Sequence, residues 1–544
     1  MISKQKMQEL LPTYWIIGFI VYAVVLFALK KILLYPGGDG SAGIIFEFLD
    51  MILTILLIAL WGATVFTFIR SKMYYCETGR NFNKDCSTYK RGYRELVEYF
   101  KDAEPHKLDS SQFEYQQWYR EKGLVFGTIE SRLVTIPSDC ECNIAVFGPP
   151  GSGKTSGMAI TNAITFEGPV LAVDIKGDIY NYVSNYSNRK IIKFCPDHPN
   201  ALWESYHFDP FAGIEKMNTT DKKLYLESMA TILIPEESGT DGYYFSSRAR
   251  KMFQGITHLL LYYNPEISFP EVVERILTGN VFEWVKMALE SECMAAREQI
   301  ASFYGNNEKN ISAVYDTLTT AIIHFSNSVL NELLRKSDNC ISIDLLEKGY
   351  DIYLQVSQEH LESYAPLFTL ILQTFSSAFT RRPDSSTGVK NKPILMLIDE
   401  FPQLTFSYEM INSNLSTLRS KNVICMIIQQ NISQLELRFG QAGARSILGN
   451  CNCQIILGSN DLTTSTTFSD MFGYKKVLKI SNNEVTSQNV STGMTVQEAE
   501  EKVFPPESFG DLQTRKKMVF YFKGKYLLCN RLNCYERYLV ARVY

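Results

Sequence analysis

Eight residues, Gly148-Pro149-Pro150-Gly151-Ser152-Gly153-Lys154-Thr155, constrain this 544-residue chain more than any others. They fit G-x-x-x-x-G-K-[ST]. In such a loop the glycines let the backbone curl until successive N–H groups point inward at phosphate oxygens. The loop has to sit between a buried strand and a helix that presents its positive N-terminal end. Both flanks are there: Asn143-Ile-Ala-Val-Phe147 reads as the strand, and Gly157–Phe166 follows in a helical register. Lys154 is expected to meet the β- and γ-phosphates of a nucleoside triphosphate, and Thr155 to hold Mg²⁺. Ser156 completes the binding set Gly148–Ser156. The implied cofactors are ATP and Mg²⁺.

A site that hydrolyses a nucleotide also needs an acidic pair at the end of a buried strand. The apolar run Ile394-Leu-Met-Leu-Ile398 ends in Asp399-Glu400 and supplies one. Asp399 is expected to hold Mg²⁺ through water, and Glu400 to orient or deprotonate the attacking water. Further on, Val423–Gln429 reads as another strand, with Gln429-Gln430 at its tip. Gln429 either senses the γ-phosphate or marks a solvated strand end. Arg419 lies 19 residues after Glu400, at the end of an expected helix. It either reaches a neighbouring subunit's γ-phosphate or pairs at the surface.

Asp399 comes some 245 residues after Lys154, far more than a simple nucleotide hydrolase needs. The pattern between them explains the gap. From about 143, buried strands alternate with helices, which argues a parallel α/β sheet. From about 213 to 340 the strand signal disappears. Stretches such as Glu271–Glu290 space apolar residues at three and four, as an all-helical insertion does. Strands resume at 351–356, 393–399, 423–429 and 453–459. The run 516–532 reads as a hairpin around Lys523-Gly524. The expected partition is 1–70 membrane anchor, 71–137 connector and start of the motor, 138–212 first part of the nucleotide domain, 213–340 insertion, and 341–544 second part. The expected fold class is α/β, a RecA-like P-loop motor with an all-α insertion and two N-terminal transmembrane helices.

The spans are read from residues 12–29 and 51–69, runs of 18 and 19 residues without a charge. About 20 apolar residues cross a bilayer. Segment 70–94 carries Arg70, Lys72, Arg80, Lys84, Lys90, Arg91 and Arg94 against Glu77 and Asp85. The positive-inside rule therefore puts both ends in the cytoplasm. The mean hydropathy of −0.09 rules out spans along the whole length. A net charge of −4 shows no bulk basic excess of the kind a general nucleic-acid binder carries.

Twelve cysteines in 544 residues are too sparse for a disulfide scaffold, and on the cytosolic side they are expected to be thiols. The close pairs Cys140/Cys142 and Cys451/Cys453 would each share one face of a strand. Neither has the further ligands a zinc site needs. Arg248, Arg250 and Lys251 lie on the expected insertion, where they either line a DNA path or form a solvated face.

The chain resembles the conjugative coupling proteins of type IV secretion, the TraG/TraD-like ATPases of the wider FtsK/HerA-like translocase group. The matching stretches are FGPPGSGKTSGMAITNAI (147–164), VLAVDIKGDIY (170–180), LIDEFPQL (397–404), LRSKNVICMIIQQNISQLELRFG (418–440) and ILGNCNCQIILGSNDLTTSTTFSDMFG (447–473). The resemblance implies a homo-hexameric ring at the bacterial inner membrane. The ring would hydrolyse ATP and link DNA, single-stranded and carrying a relaxase, to the components of a secretion channel. It also implies that Gln429 is the family's strand-tip glutamine and Arg419 its arginine acting in trans. Asp174-Ile-Lys176-Gly177-Asp178 matches the family's D-x-K-G-[ED], with a role behind the phosphate-contacting residues. Tyr244-Phe245 stands where an aromatic-Trp pair is usual. The chain ends soon after the motor, without the long acidic tail of some relatives, so docking through such a tail is not expected. Two alternatives stay open: a coupling ATPase for protein effectors only, and a nucleotide-gated scaffold at the channel.

Overall fold

The computed structural model describes residues 123–129, 132–187, 189–236, 240–385, 391–485, 491–522 and 525–534. The two expected spans in 1–70 and the connector up to residue 122 lie outside the described residues. Among the described residues no helix is long and apolar enough to cross a membrane.

Four strands are apolar almost throughout, because both faces of the sheet are covered. They are β3 (Ile144–Phe147), β4 (Val170–Ile175), β7 (Ile394–Ile398) and β8 (Val423–Gln429), and every residue in them is buried. Continuous burial is the mark of parallel strands between helical layers. With β5 (Ile191–Phe194), β6 (Asp351–Val356) and β9 (Cys453–Ile456) they form a seven-stranded parallel block, ordered β9-β3-β8-β7-β4-β6-β5.

The sheet is not wholly parallel, as the alternation of strands and helices suggested. Four antiparallel strands extend it beyond β9. These are β12 (Lys517–Phe522) and β13 (Lys525–Asn530), then β1 (Leu124–Ile129) and β2 (Arg132–Ile136). The result is one mixed sheet of eleven strands. The strand-rich piece 123–137 is thus a flank of the main sheet, paired to the far end of the chain at Thr128 and Asn530. By itself, a separate two-stranded sheet joins β10 (Tyr474–Val485) and β11 (Ser491–Lys502).

Between β5 and β6 the described residues form helices and no regular strand. The longest, Thr240–Tyr263, buries Ala249, Met252, Phe253, Ile256, Leu259 and Leu260 along one stripe, the spacing of an amphipathic helix. At the start of Phe269–Thr278 the Ser268 N–H donates to the Glu271 carboxylate, the backbone half of a capping box. The helical region leaves and rejoins the sheet at one place. The His207 N–H donates to the Asn339 carbonyl, and the Ile341 N–H donates back to the His207 carbonyl.

Candidate functional site

All seven parallel strands run the same way, so their C-terminal ends share one edge of the sheet. Adjacent chain exits at that edge are where open α/β sheets bind ligands. The order β3-β8-β7-β4 brings four of them side by side: the phosphate loop after β3, Gln429 on β8, Asp399-Glu400 after β7, and the 174–178 turn on β4.

The loop needs its glycines for identifiable reasons. Gly151 and Gly153 adopt φ of 72° and 86°, a left-handed backbone that other residues adopt only at a cost. A Cβ on Gly148 would lie 2.3 Å from the Ser152 hydroxyl. The helix after the loop opens with a wide π-type turn, Lys154–Ala159, and continues as α-helix over Ile160–Thr165. The Lys154 ammonium donates to the carbonyls of Gly148 at 2.8 Å and Pro149 at 3.2 Å. Burial lowers its pKa, while Glu400 and Asp399 pull the other way.

Thr155 Oγ1 donates to Asp399 Oδ2 at 3.3 Å, closing a separation of 244 residues. The other Asp399 oxygen accepts the Glu400 N–H at 3.0 Å. Burial, reinforced by the charge of Glu400, pushes the Asp399 carboxyl up to about 6 against the pull of Lys154. Glu400 is itself left-handed at φ 48°, and its Oε2 is buried with no hydrogen-bond partner. A cleft of about 500 Å³ is lined by Lys154, Thr155, Ser156, Asp399 and Glu400. The donor set suits a triphosphate with a hard cation. The curled loop offers N–H groups, Thr155 and Asp399 offer oxygens at the spacing of a shared ion, and a carboxylate oxygen stays uncommitted.

The remaining expected residues fall in three places. Gln429 is fully buried at the tip of β8, paired with Phe147, and neither atom of its amide has a partner. Its neighbour Gln430 lines the cleft instead. Arg419 sits in the turn Leu418–Lys421 before β8 and donates to Asn452 at 3.2 Å. That is the opposite edge of the sheet, a strand's length of about 20 Å from its own phosphate loop. Of the insertion cations, Arg248 lies over the rings of Tyr244 and Phe303, and Arg250 donates to the Ile234 carbonyl at 2.8 Å. Only Lys251 is exposed.

Some lining residues had no expected role. Asn533 comes from the segment after β13 and lines the cleft. Next to it, Arg531 donates to the Ser152 carbonyl, and the Cys534 N–H donates to the Ser156 carbonyl. The C-terminal hairpin therefore braces the phosphate loop, a role no motif announces. Lys176 and Asp178 also line the cleft rather than standing behind it. The cysteine expectation needs correcting. Cys140 and Cys142 lie in irregular chain, and Cys451 ends a helix, so only Cys453 is in a strand. Burial pushes the thiols of Cys451 and Cys453 upward.

Three comparisons bear on this site. The family model described as "Type IV secretory system Conjugative DNA transfer" matches residues 109–542. Protein VirD4 of Rhizobium rhizogenes is 26% identical over 377 residues, covering 66% of this chain and 54% of the relative. The type IV secretion system-coupling protein VirD4 of Bartonella henselae is 21% identical over 412 residues, 72% of this chain and 62% of the relative. The chain spans about half the length of the first of these relatives and somewhat more of the second. Among solved structures, the bacterial conjugative coupling protein TrwBdeltaN70 superposes with a TM-score of 0.58 at 15% identity, over 78% of this chain and 92% of that one. Plasmid coupling protein TrwB in complex with ADP and Mg²⁺ gives 0.57 at 14% identity, over 78% and 93%. These two share the fold.

Proposed function

The chain belongs to the type IV secretory system conjugative DNA transfer family, and on that premise we propose that it is a membrane-anchored, ring-forming ATPase that couples DNA or a nucleoprotein to a secretion channel. One observation carries the reading: Lys154, Thr155, Asp399 and Glu400 converge on one cleft from distant parts of the chain. A coupling protein that shares this fold is solved in complex with ADP and Mg²⁺, which supports the same ligands here.

In this reading the loop N–H groups and Lys154 hold the phosphates. Thr155 and Asp399 would hold Mg²⁺, which when bound offsets charge on the β- and γ-oxygens. Glu400, with an oxygen free of partners, orients a water in line with the γ-phosphorus and accepts its proton. Gln429, buried between the phosphate loop and the acidic strand and off the cleft wall, would respond to phosphate loss through the loop it packs beside rather than by touching the phosphate. Arg419 faces away from its own loop, and in a ring it would present its guanidinium to the next subunit's γ-phosphate. The two apolar runs in 12–29 and 51–69 anchor the ring in the inner membrane with the motor in the cytoplasm. A homo-hexamer, a single-stranded DNA with its relaxase, and channel components complete the proposed assembly.

The test is ATP hydrolysis by the full chain in a membrane mimetic, with and without single-stranded DNA. Hydrolysis that DNA stimulates several-fold supports the reading. Hydrolysis indifferent to DNA favours protein effectors as substrate. No hydrolysis at all favours a nucleotide-gated scaffold.

A further inference from the structure

The 174–178 turn holds a residue whose conformation its own propensity does not account for. Lys176 adopts φ 86°, and Gly177 follows at 77°. For glycine this is free, but for lysine the Cβ meets the backbone, and such residues persist only where their surroundings over-determine them. Here the surroundings do. The buried Asp174 carboxylate accepts the N–H groups of Ile179 at 3.1 Å and Tyr180 at 2.8 Å, and Gln355 Nε2 reaches it at 3.3 Å. The Lys176 N–H donates to the Val356 carbonyl, and the Gly177 N–H to that of Asp174. The turn is thus pinned on three sides, and its exposed side chains are those of Lys176 and Asp178.

Register says where that side chain begins. Val173 pairs with Ile398, so Asp174 lies beside Asp399, and Lys176 leaves the sheet just beyond Glu400. The acidic strand therefore stands between two lysines, Lys154 from β3 and Lys176 from β4. Both line the same cleft, and the charge of Lys176 is near enough to help lower the pKa of Lys154. The ammonium of Lys176 makes no ion pair or hydrogen bond among the described residues. The neighbouring Lys193 is committed, to Glu204 at 2.7 Å. Among the described residues the cleft's carboxylates are Asp178, Asp399 and Glu400, against these two cations. An incoming triphosphate adds negative charge where Lys154 alone is shared between two phosphates.

We propose that Lys176 is a second phosphate-binding residue, which reaches the terminal phosphate from the far side of the acidic strand. The inference rests on the ATPase reading above and adds to it the group that tells a triphosphate from a diphosphate. Lys154 and the loop serve both nucleotides, whereas Lys176 meets only the third phosphate. Charge-assisted hydrogen bonds to phosphate are strong enough for that discrimination to be measurable.

The experiment measures equilibrium binding of a slowly hydrolysed fluorescent ATP analogue and of fluorescent ADP to the full chain, as wild type, Lys176→Ala, Lys176→Asn and Lys176→Arg. Asparagine tolerates the left-handed backbone, so it removes the charge without adding strain. The expected result is a loss of about tenfold or more for the ATP analogue in both neutral variants. ADP affinity stays within about twofold, and arginine restores most of the difference. Equal losses for both nucleotides, or no loss for either, would overturn the inference while leaving the ATPase reading intact. A wild type that binds neither nucleotide would overturn that reading and the inference with it.

Discussion

Where the parallel strands begin, the charged groups are paired, although the side-chain oxygens of Asn422 and Gln454 lack partners. Arg189 donates to the carbonyls of Phe166 and Gly168 at 2.7 Å each and meets Asp351 at 2.9 Å. The other Asp351 oxygen accepts the Val170 N–H. Arg382 donates to Lys421 and Lys392 and pairs with Glu347, while Asn143 ties Leu415, Asn450 and Cys425 together. Where the same strands end, Glu400 Oε2, the Gln429 amide and the Ser152 hydroxyl lack partners, and Lys176 and Glu400 are left-handed. Unpaired groups and strain both cost stability. The difference lies in the charges: paired where the strands begin, they hold the sheet together, and left uncommitted where the strands end, they shape that edge for something that arrives.

Substitutions at the two edges should therefore fail differently. The largest effect is expected from Asp351→Ala. It leaves the partly exposed Arg189 with its backbone carbonyl partners but without its carboxylate, at a cost of up to about 3 kcal/mol, read as a fall in the denaturation midpoint. A midpoint shift near zero would erase the distinction between the edges. Next, Glu400→Gln should leave folding and nucleotide binding intact while hydrolysis drops about 10²-fold or more. A variant that instead unfolds would make Glu400 a structural group. Gln429→Leu sharpens the contrast. Removing an unpartnered amide should leave stability unchanged or raised by about 1 kcal/mol, with hydrolysis falling about tenfold.

The smallest effect is a pH dependence. Burial pushes Asp174, Asp351 and Asp399 up to about 6. Each binds its proton more tightly folded than unfolded, so stability without nucleotide should rise as pH falls from about 6 towards 4. His258, pushed down to about 4 by burial, works in the opposite direction. Asp174→Asn removes one of the three carboxyls, and the midpoint measured between pH 7 and 5 should then rise less steeply. An unchanged slope would show that Asp174 does not titrate there.

How much of this could be read from the residues alone depends on the range over which each feature is decided. The phosphate loop, its strand and the acidic strand are local patterns. The apolar runs of β3, β7 and β8 end at the polar residues that matter, so the core of the site was legible. The antiparallel flank was not, because β1 pairs with β13 some 400 residues away and nothing in either segment names its partner. The brace from Arg531 and Cys534 to the loop is hidden for the same reason. Lys176 was visible as part of a motif, but its left-handed backbone and its place on the cleft wall depend on Asp174, Gln355 and the β4–β7 register. Gln429 and Gln430 are adjacent, and which of them faces the cleft is decided by how β8 ends, a detail no periodicity resolves.

The most direct measurement is ATP hydrolysis by the full chain carrying Lys154→Ala, beside wild type, with the thermal midpoint recorded on the same samples. If the strand-end edge is the nucleotide site, turnover falls about 10²-fold or more while the midpoint stays within a degree or two. Turnover within a few-fold of wild type would contradict the account.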